Sequence, residues 1–133
     1  MPGHSVLVID DEEMIRDTLV EFFDDKGFRA IGAVHGRDAL DKLEASPALP
    51  CVIILDLMMP VMDGHTFRTR QLANARFAGI PVIVLSACHG AKKSALDMNA
   101  SEYLDKPLKL RELLQLVNKH CHEVHDEAHN DAH

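Results

Sequence analysis

Three short apolar runs constrain the fold of this chain more than any other feature of its sequence. The runs are Ser5–Ile9, Cys51–Leu55 and Val82–Leu85, and the polar residues that follow them are Asp10, Asp56 and Ser86. An unbroken apolar run of this length, bounded by polar or turn residues, is typical of a strand buried on both faces of a parallel sheet. The fold must therefore cover both faces of a sheet with other elements.

Helical patterns fill the intervals between these runs. Apolar residues recur at helical spacing in five segments: Glu12 to Gly27, Gly36 to Ala45, Gly64 to about Ala78, roughly Lys92 to Met98, and Leu110 onward. Two weaker strands are predicted at Phe28–Val34 and Glu102–Leu104. Strands that alternate with helices five times predict an α/β fold of the (βα)5 type, with a doubly wound, five-stranded parallel sheet. Right-handed crossovers favour the flavodoxin-like strand order 2-1-3-4-5, in which the first and third strands are neighbours.

Composition and charge exclude several classes of function. The chain has 133 residues, which fits one domain, and its net charge of -7 argues against nucleic acid as a direct partner. No apolar run is long enough to cross a bilayer, and the start Met1-Pro2-Gly3-His4 lacks the pattern of a signal peptide. We therefore expect a cytoplasmic protein without a membrane partner.

The cysteines carry a further expectation. Cys51, Cys88 and Cys121 are odd in number, widely spaced and without a C-x-x-C pair. This pattern predicts reduced thiols, and the apolar surroundings of Cys51 and Cys88 indicate that these two fill the core.

Five polar residues are expected to meet at the carboxyl edge of the sheet, where open α/β folds bind their ligands. Asp10 and Asp11 follow the first strand, Asp56 the third, Ser86 the fourth and Lys106 the fifth. Three unpaired carboxylates would repel one another, so a hard divalent cation, Mg2+ by preference, and the lysine are needed to compensate them. A nucleophilic carboxylate beside a metal site, a cation and a hydroxyl suits phosphoryl transfer to Asp56.

Each acidic position also has a purely structural interpretation. Asp10 and Asp11 could cap the first helix, and Asp56 could cap the third. Their coincidence with a lysine and a serine at one edge favours the functional interpretation. Asp63 is typical of an ordinary turn residue. The third helix region also offers three arginines, which we expect to form a solvated face: Arg68, Arg70 and Arg76.

The polar residues and their spacing resemble the receiver domain of two-component response regulators. The motifs that carry the resemblance are Asp10-Asp11, Asp56 with Pro60 and Gly64, Ser86-Ala87, Tyr103, and Lys106-Pro107. The resemblance covers about Ser5 to His120, and its motifs are specific because separated positions agree in type, order and spacing.

The resemblance implies that Asp56 accepts a phosphoryl group from a phosphohistidine on a histidine kinase or a histidine phosphotransfer protein. It implies a Mg2+ site formed by Asp10 (through water), Asp11, Asp56 and the backbone carbonyl of Met58. Ser86 and Lys106 would bind phosphoryl oxygens. Such a domain is a signalling protein, and it catalyses only its own phosphorylation and dephosphorylation.

The resemblance also implies a switch. Ser86 would move toward the phosphoryl group, Tyr103 would turn into the vacated space, and the Lys106-Pro107 peptide bond would be cis. The surface of helix 4, strand 5 and helix 5 would then change for a downstream effector protein, with phosphorylation-dependent dimerisation as one outcome.

The domain organisation follows as a receiver domain over residues 1–120 and a His-rich, acidic tail over residues 121–133. The tail histidines with Cys121 could bind Zn2+ or Ni2+, but a solvated extension of the last helix is the favoured interpretation.

A stand-alone receiver is expected, although a receiver excised from a hybrid kinase or a longer regulator stays open. An aspartyl-phosphate phosphatase would need a second aspartate where Met58 stands, and a flavodoxin would need a phosphate loop where Asp10-Asp11-Glu12 stands.

Overall fold

Five strands pair in parallel in the computed structural model, which describes residues 4–57, 59, 61–86, 91–107 and 109–131, without the side chains of residues 91 and 122–131. The strands are β1 (Ser5–Ile9), β2 (Arg29–Ala33), β3 (Val52–Asp56), β4 (Val82–Ser86) and β5 (Glu102–Asp105). Their order in the sheet is β2-β1-β3-β4-β5. The predicted flavodoxin-like topology is therefore confirmed, with β1 and β3 side by side.

Five helices connect and follow the strands. They are α1 (Glu13–Asp25), α2 (Gly36–Ala45), α3 (Gly64–Ala73), α4 (Ala91–Asp97) and α5 (Leu110–Asp131). The predicted bounds agree within a few residues except for α3, which ends at Ala73 instead of near Ala78. The helix ends there because Asn74 is extended and its side-chain oxygen accepts a hydrogen bond from the Arg76 N–H at 2.9 Å, a local turn that competes with the helix.

The sheet separates two apolar layers, as its fully apolar strands require. Every residue of β3 and of β4 is buried, whereas β5 at the sheet edge has no buried residue. On one face, alternate residues of the central strands pack with residues of α2 and α3, and on the other with residues of α1 and α5. This sandwich holds the carboxyl ends of β1, β3 and β4 at fixed positions.

Asp63 is the N-cap of α3 rather than only a turn residue. Its carboxylate accepts a hydrogen bond from the Thr66 N–H at 2.9 Å, and this bond lowers the pKa of Asp63 below its ordinary value. The idea that Asp56 caps this helix is therefore wrong.

The expected solvated arginine face is wrong for Arg68. This side chain is 7% exposed, and its guanidinium donates to the carbonyls of Met98 and Asn99 at 3.1 and 2.9 Å and to the Gln71 side chain at 2.8 Å. Arg70 and Arg76 are exposed as predicted. Arg68 thus connects α3 to the segment between α4 and β5.

The expectation of reduced thiols is wrong for Cys51 and Cys121, which form a disulfide with a Cα–Cα distance of 5.2 Å. The two residues are 70 positions apart in sequence, but Cys51 directly precedes β3, and α5 packs over β3 on the face that Cys121 joins.

Cys88 lies outside the described residues. The proposed boundary at residue 121 falls inside α5, where Cys121 is 1% exposed.

Within the described part of the chain, no helix is both long enough and apolar enough to cross a membrane.

Candidate functional site

Asp10 lies at the end of β1 and is held from both sides. Its side chain is almost fully buried, and one carboxylate oxygen accepts from the Glu12 N–H at 2.9 Å. The Asp10 N–H continues the sheet by donating to the Ala33 carbonyl at 3.1 Å, and the Asp10 carbonyl accepts from the Arg16 guanidinium at 2.9 Å. The other carboxylate oxygen is thereby directed toward the rim of the sheet, where a cation can reach it.

Asp56 and Ser86 end the two adjacent central strands. Asp56 is the last residue of β3 and pairs in register with Leu85, while Ser86 is the last residue of β4 and pairs with Asp105. Both side chains are buried, with residue exposures of 5% and 1%. A carboxylate buried to this degree requires a compensating charge.

Lys106 supplies that charge. It directly follows β5, and its backbone N–H donates to the Ser86 carbonyl at 3.0 Å, which fixes the start of the loop. Its Nζ lies 3.2 Å from an Asp10 carboxylate oxygen, 3.4 Å from one of Glu12 and 3.9 Å from one of Asp56. Burial by itself would lower the pKa of Lys106, but the charges of Asp10 and Asp56 outweigh burial and raise its pKa above the ordinary value. Lys106 is therefore a firmly charged ammonium at neutral pH.

The three aspartates form a compact group of oxygen donors. Asp10, Asp11 and Asp56 each place one carboxylate oxygen within 4.8 Å of the others, and Asp11 is exposed whereas the other two are buried. Hard carboxylate oxygens around a partly open position fit Mg2+, which keeps several of its own waters. Met58, whose carbonyl the sequence analysis assigned to the same site, lies outside the described residues.

Tyr103 and Pro107 flank this site without joining it. Tyr103 is partly exposed on β5, and its hydroxyl donates a hydrogen bond to the Asp105 carboxylate. The Lys106-Pro107 peptide bond is cis, as the resemblance implied.

Glu12 and Arg16 are site-forming residues that the sequence analysis did not single out. Glu12 is a third acidic partner of Lys106, and Arg16 binds the Asp10 carbonyl one turn into α1. The sequence does indicate Glu12, because this residue extends the acidic run that follows β1. The position of Arg16 could be recognised only once the start of α1 at Glu13 was known.

The comparisons with known proteins agree on one family. The response regulator receiver domain family matches residues 6–118 of this chain. The chain is 35% identical over 120 residues to protein PilG of Pseudomonas aeruginosa. This alignment covers 89% of the chain and 87% of PilG. This chain is a response regulator receiver domain.

Solved structures support the same assignment. The receiver domain of the Francisella response regulator 1452 has a TM-score of 0.80 at 30% identity, with 92% of this chain and 99% of that chain covered. The receiver domain of the sensor histidine kinase PA1611 from Pseudomonas aeruginosa has a TM-score of 0.80 at 23% identity, with 90% and 98% covered, and it holds a magnesium ion in its active-site cleft. At that identity the likeness shows the fold alone. The receiver domain described here spans about half the length of several other curated relatives that it matches.

Receiver domains are signalling proteins of two-component systems rather than classical enzymes, and they generally bind Mg2+ in an acidic pocket. In this receiver domain the acidic group at the ends of β1 and β3 is the donor set that matches such a pocket.

Proposed function

We propose that Asp56 accepts a phosphoryl group from a phosphohistidine of a histidine kinase or a histidine phosphotransfer protein. The observation that carries this proposal is the position of the Lys106 ammonium, 3.9 Å from the Asp56 carboxylate and 3.2 Å from that of Asp10. A buried carboxylate beside a fixed cation at the carboxyl edge of a parallel sheet has both the nucleophile and the charge that phosphoryl transfer needs.

The transfer is a single in-line displacement. A carboxylate oxygen of Asp56 forms a bond to phosphorus, the bond between phosphorus and the imidazole nitrogen of the donor breaks, and its electron pair stays on that nitrogen. The product is an acyl phosphate on Asp56. Lys106 would pair with one phosphoryl oxygen, and the Ser86 hydroxyl at the end of the neighbouring strand would donate to another.

Mg2+ belongs to this proposal as the cofactor. Asp10, Asp11 and Asp56 would hold it, with the Met58 carbonyl as a further candidate ligand. When bound, it neutralises charge on the phosphoryl oxygens. Without it, the carboxylates of Asp10 and Asp11 would repel an incoming phosphoryl group, and Lys106 alone carries one positive charge against them.

The acceptor can be tested with Mg2+ and a small acyl phosphate as donor. We expect the intact mass to rise by one phosphoryl group in the natural chain and in Asp63→Asn, because asparagine also caps a helix and the exposed Asp63 is the matched control. Asp56→Asn should gain no mass. Phosphorylation of Asp56→Asn to the same extent would place the acceptor elsewhere and overturn the proposal.

Lys106→Ala tests the role of the ammonium in the same assay. We expect the rate of phosphoryl uptake to fall by about 100- to 1,000-fold, because a charge aimed at the developing phosphoryl oxygens is lost. Lys109→Ala is the control, since Lys109 is exposed and pairs only with Glu112 among the described residues. Equal rates in the two variants would contradict this role.

We further propose that phosphorylation biases a switch that includes Ser86, Tyr103 and Pro107. The Ser86 hydroxyl would turn toward the phosphoryl oxygens, and Tyr103 would leave Asp105 for the space beside β4. The face formed by α4, β5 and α5 would then bind a downstream effector protein or a second copy of the receiver domain.

Intrinsic fluorescence can follow this switch, because the chain has one tyrosine and no tryptophan. We expect Tyr103 emission to change when Mg2+ and the acyl phosphate are added together. The control is Asp56→Asn, in which emission should stay constant. A constant signal in a natural chain whose mass shows full phosphorylation would exclude the movement of Tyr103 while leaving phosphoryl acceptance intact.

A further inference from the structure

A second group of side chains that can bind metal ions lies at the amino ends of the strands, at the other end of β3 from Asp56. His4 directly precedes β1, Cys51 directly precedes β3, and Cys121 lies on α5. A ring nitrogen of His4 and the two sulfur atoms all lie within 4.8 Å of one another. The group thus unites three elements that are distant in sequence, and the phosphoacceptor site uses none of its residues.

The backbone around this group is well fixed. The Cys51 N–H donates to the Ser5 carbonyl at 2.9 Å, and the His4 carbonyl accepts from the Arg29 N–H at 2.8 Å. Cys121 is 1% exposed within the apolar layer of α1 and α5. Because adjacent strands and a packed helix hold the three residues, they remain neighbours whether or not the sulfur atoms are bonded to each other.

We propose that the receiver domain, once its Cys51–Cys121 disulfide is reduced, binds one thiophilic divalent metal ion through Cys51, Cys121 and His4, with Zn2+ as the metal to test. Two thiolates and an imidazole are the ligands that Zn2+ prefers, and they differ in kind from the carboxylates that suit Mg2+. The two metal sites would lie at opposite edges of one sheet.

The geometry is compatible with a tetrahedral ion. Zn–S bonds of about 2.3 Å and Zn–N bonds of about 2.0–2.1 Å place tetrahedral donors about 3.5–3.8 Å apart. After reduction, the two sulfur atoms that are now bonded to each other must move apart by about 2 Å to reach this separation. The His4 ring nitrogen, within 4.8 Å of both sulfur atoms, needs to move by about an ångström. Solvent would take the fourth position, because His4 and Cys51 are partly exposed.

The chemistry balances in two steps. A phosphine reductant cleaves the disulfide, takes an oxygen atom from water to become the phosphine oxide, and leaves two thiols. Zn2+ then replaces the two thiol protons, which are released to the buffer, while a neutral ring nitrogen of His4 donates its electron pair.

Co2+ binding distinguishes this site from the histidines of the tail. The full chain is reduced with a phosphine, freed of metal and titrated with Co2+. The near-ultraviolet charge-transfer band from thiolate to cobalt is recorded, together with the number of Co2+ ions bound per chain. We expect the band to saturate at one Co2+ per chain and to disappear on addition of one equivalent of Zn2+. The oxidised chain should show no band, because its sulfur atoms are not thiolates.

Variants test each ligand. Cys51→Ser and Cys121→Ser should each abolish or strongly reduce the band, and His4→Ala should weaken metal affinity by at least about tenfold. Cys88→Ser is the matched thiol control and should keep the band, as should a chain in which the histidines at 122, 125, 129 and 133 are replaced by alanine. Circular dichroism and phosphoryl uptake at Asp56 verify that each variant is folded.

An unchanged band in Cys51→Ser would overturn the proposal. So would stoichiometric Co2+ binding without a thiolate band, which would assign the metal to imidazole or carboxylate ligands. Neither result bears on phosphorylation of Asp56, so this inference and the proposed function can fail separately.

Discussion

Gly64 illustrates how single residues determine the shape of the phosphoacceptor site. A Cβ at this position would lie 2.9 Å from the Asp56 carbonyl oxygen and 2.9 Å from the Leu57 Cα. Its N–H donates to the Leu57 carbonyl at 3.1 Å, so the start of α3 is pressed against the end of β3. Only a residue without a side chain allows this approach of two backbone segments.

Gly64→Ala should therefore destabilise the receiver domain and slow its phosphorylation. We expect the free energy of unfolding to fall by about 1–3 kcal/mol, because the two nearest atoms that a Cβ meets belong to the backbone and cannot rotate away. Urea unfolding measures the loss, and the acyl phosphate assay measures the rate. Gly79→Ala is the control, since no atom lies within 4 Å of a Cβ placed there, and it should change stability by less than about 0.5 kcal/mol. Equal losses in the two variants would contradict the argument.

At the scale of elements, an ion-pair cluster attaches α5 to the exposed edge strand. One Glu102 carboxylate oxygen on β5 lies 3.1 Å from Lys119 Nζ and 3.1 Å from the His120 ring nitrogen. Burial alone would raise the pKa of Glu102, but hydrogen bonds from Lys119 and His120 outweigh it and lower the pKa below the ordinary 4.5. The ionised carboxylate is thus favoured by folding.

This shift makes the cluster sensitive to acid. A carboxyl group whose pKa is lowered by folding stabilises the protein above its ordinary pKa, and the stabilisation is lost as the pH falls through the lowered pKa. At pH 7 we expect the free energy of unfolding of Glu102→Gln to be lower than that of the natural chain by up to about 1 kcal/mol. The difference should shrink below about pH 4.5 and vanish in stronger acid. Urea unfolding at several pH values measures it, with Glu112→Gln, in an exposed pair with Lys109, as the control. A difference that is independent of pH would refute the ionic origin.

At the scale of the whole molecule, the Cys51–Cys121 disulfide restricts the unfolded chain. It closes a loop over a sequence separation of 70 residues. Cross-linking a long loop lowers the conformational entropy of the unfolded state, which stabilises proteins by about 2–4 kcal/mol in typical cases. The stability of this receiver domain should therefore depend on its redox state.

Urea unfolding with and without a phosphine reductant tests this dependence in the presence of a chelator. We expect reduction to lower the free energy of unfolding of the natural chain by about 2–4 kcal/mol. Cys51→Ser should not respond to the reductant, and Cys88→Ser should respond like the natural chain. A natural chain that unfolds at the same urea concentration in both buffers would show that the cross-link does not stabilise the fold.

The sequence predicted the sheet because its signals are local. Strands buried on both faces must be apolar throughout, so the runs before Asp56 and Ser86 could be recognised without knowledge of their neighbours. The strand order then placed Asp10 and Asp11, which follow β1, beside Asp56 at the end of β3, and the end of the fifth strand at the same edge added Lys106.

Other features depend on contacts between distant segments and could not be predicted. Arg68 resembles a surface residue in sequence, yet the carbonyls of Met98 and Asn99, 30 and 31 positions later, satisfy its buried guanidinium. The cysteine count suggested free thiols, because nothing in the spacing indicates that α5 brings Cys121 to the start of β3. Helix ends were also missed where a side chain competes with the backbone, as Asn74 does after α3.

The disulfide divides the phosphoacceptor site between a covalent ring and an open arm. Residues 51–121 form the ring, which contains Asp56, Ser86 and Lys106, whereas Asp10 and Asp11 belong to the arm that precedes it. The arm is joined to the ring by its peptide bond at Cys51 and otherwise by the noncovalent pairing of β1 with β3 and the packing around it. A single proteolytic nick between α2 and Cys51 would therefore let the arm dissociate with its two aspartates, while a nick inside the ring would leave both fragments joined.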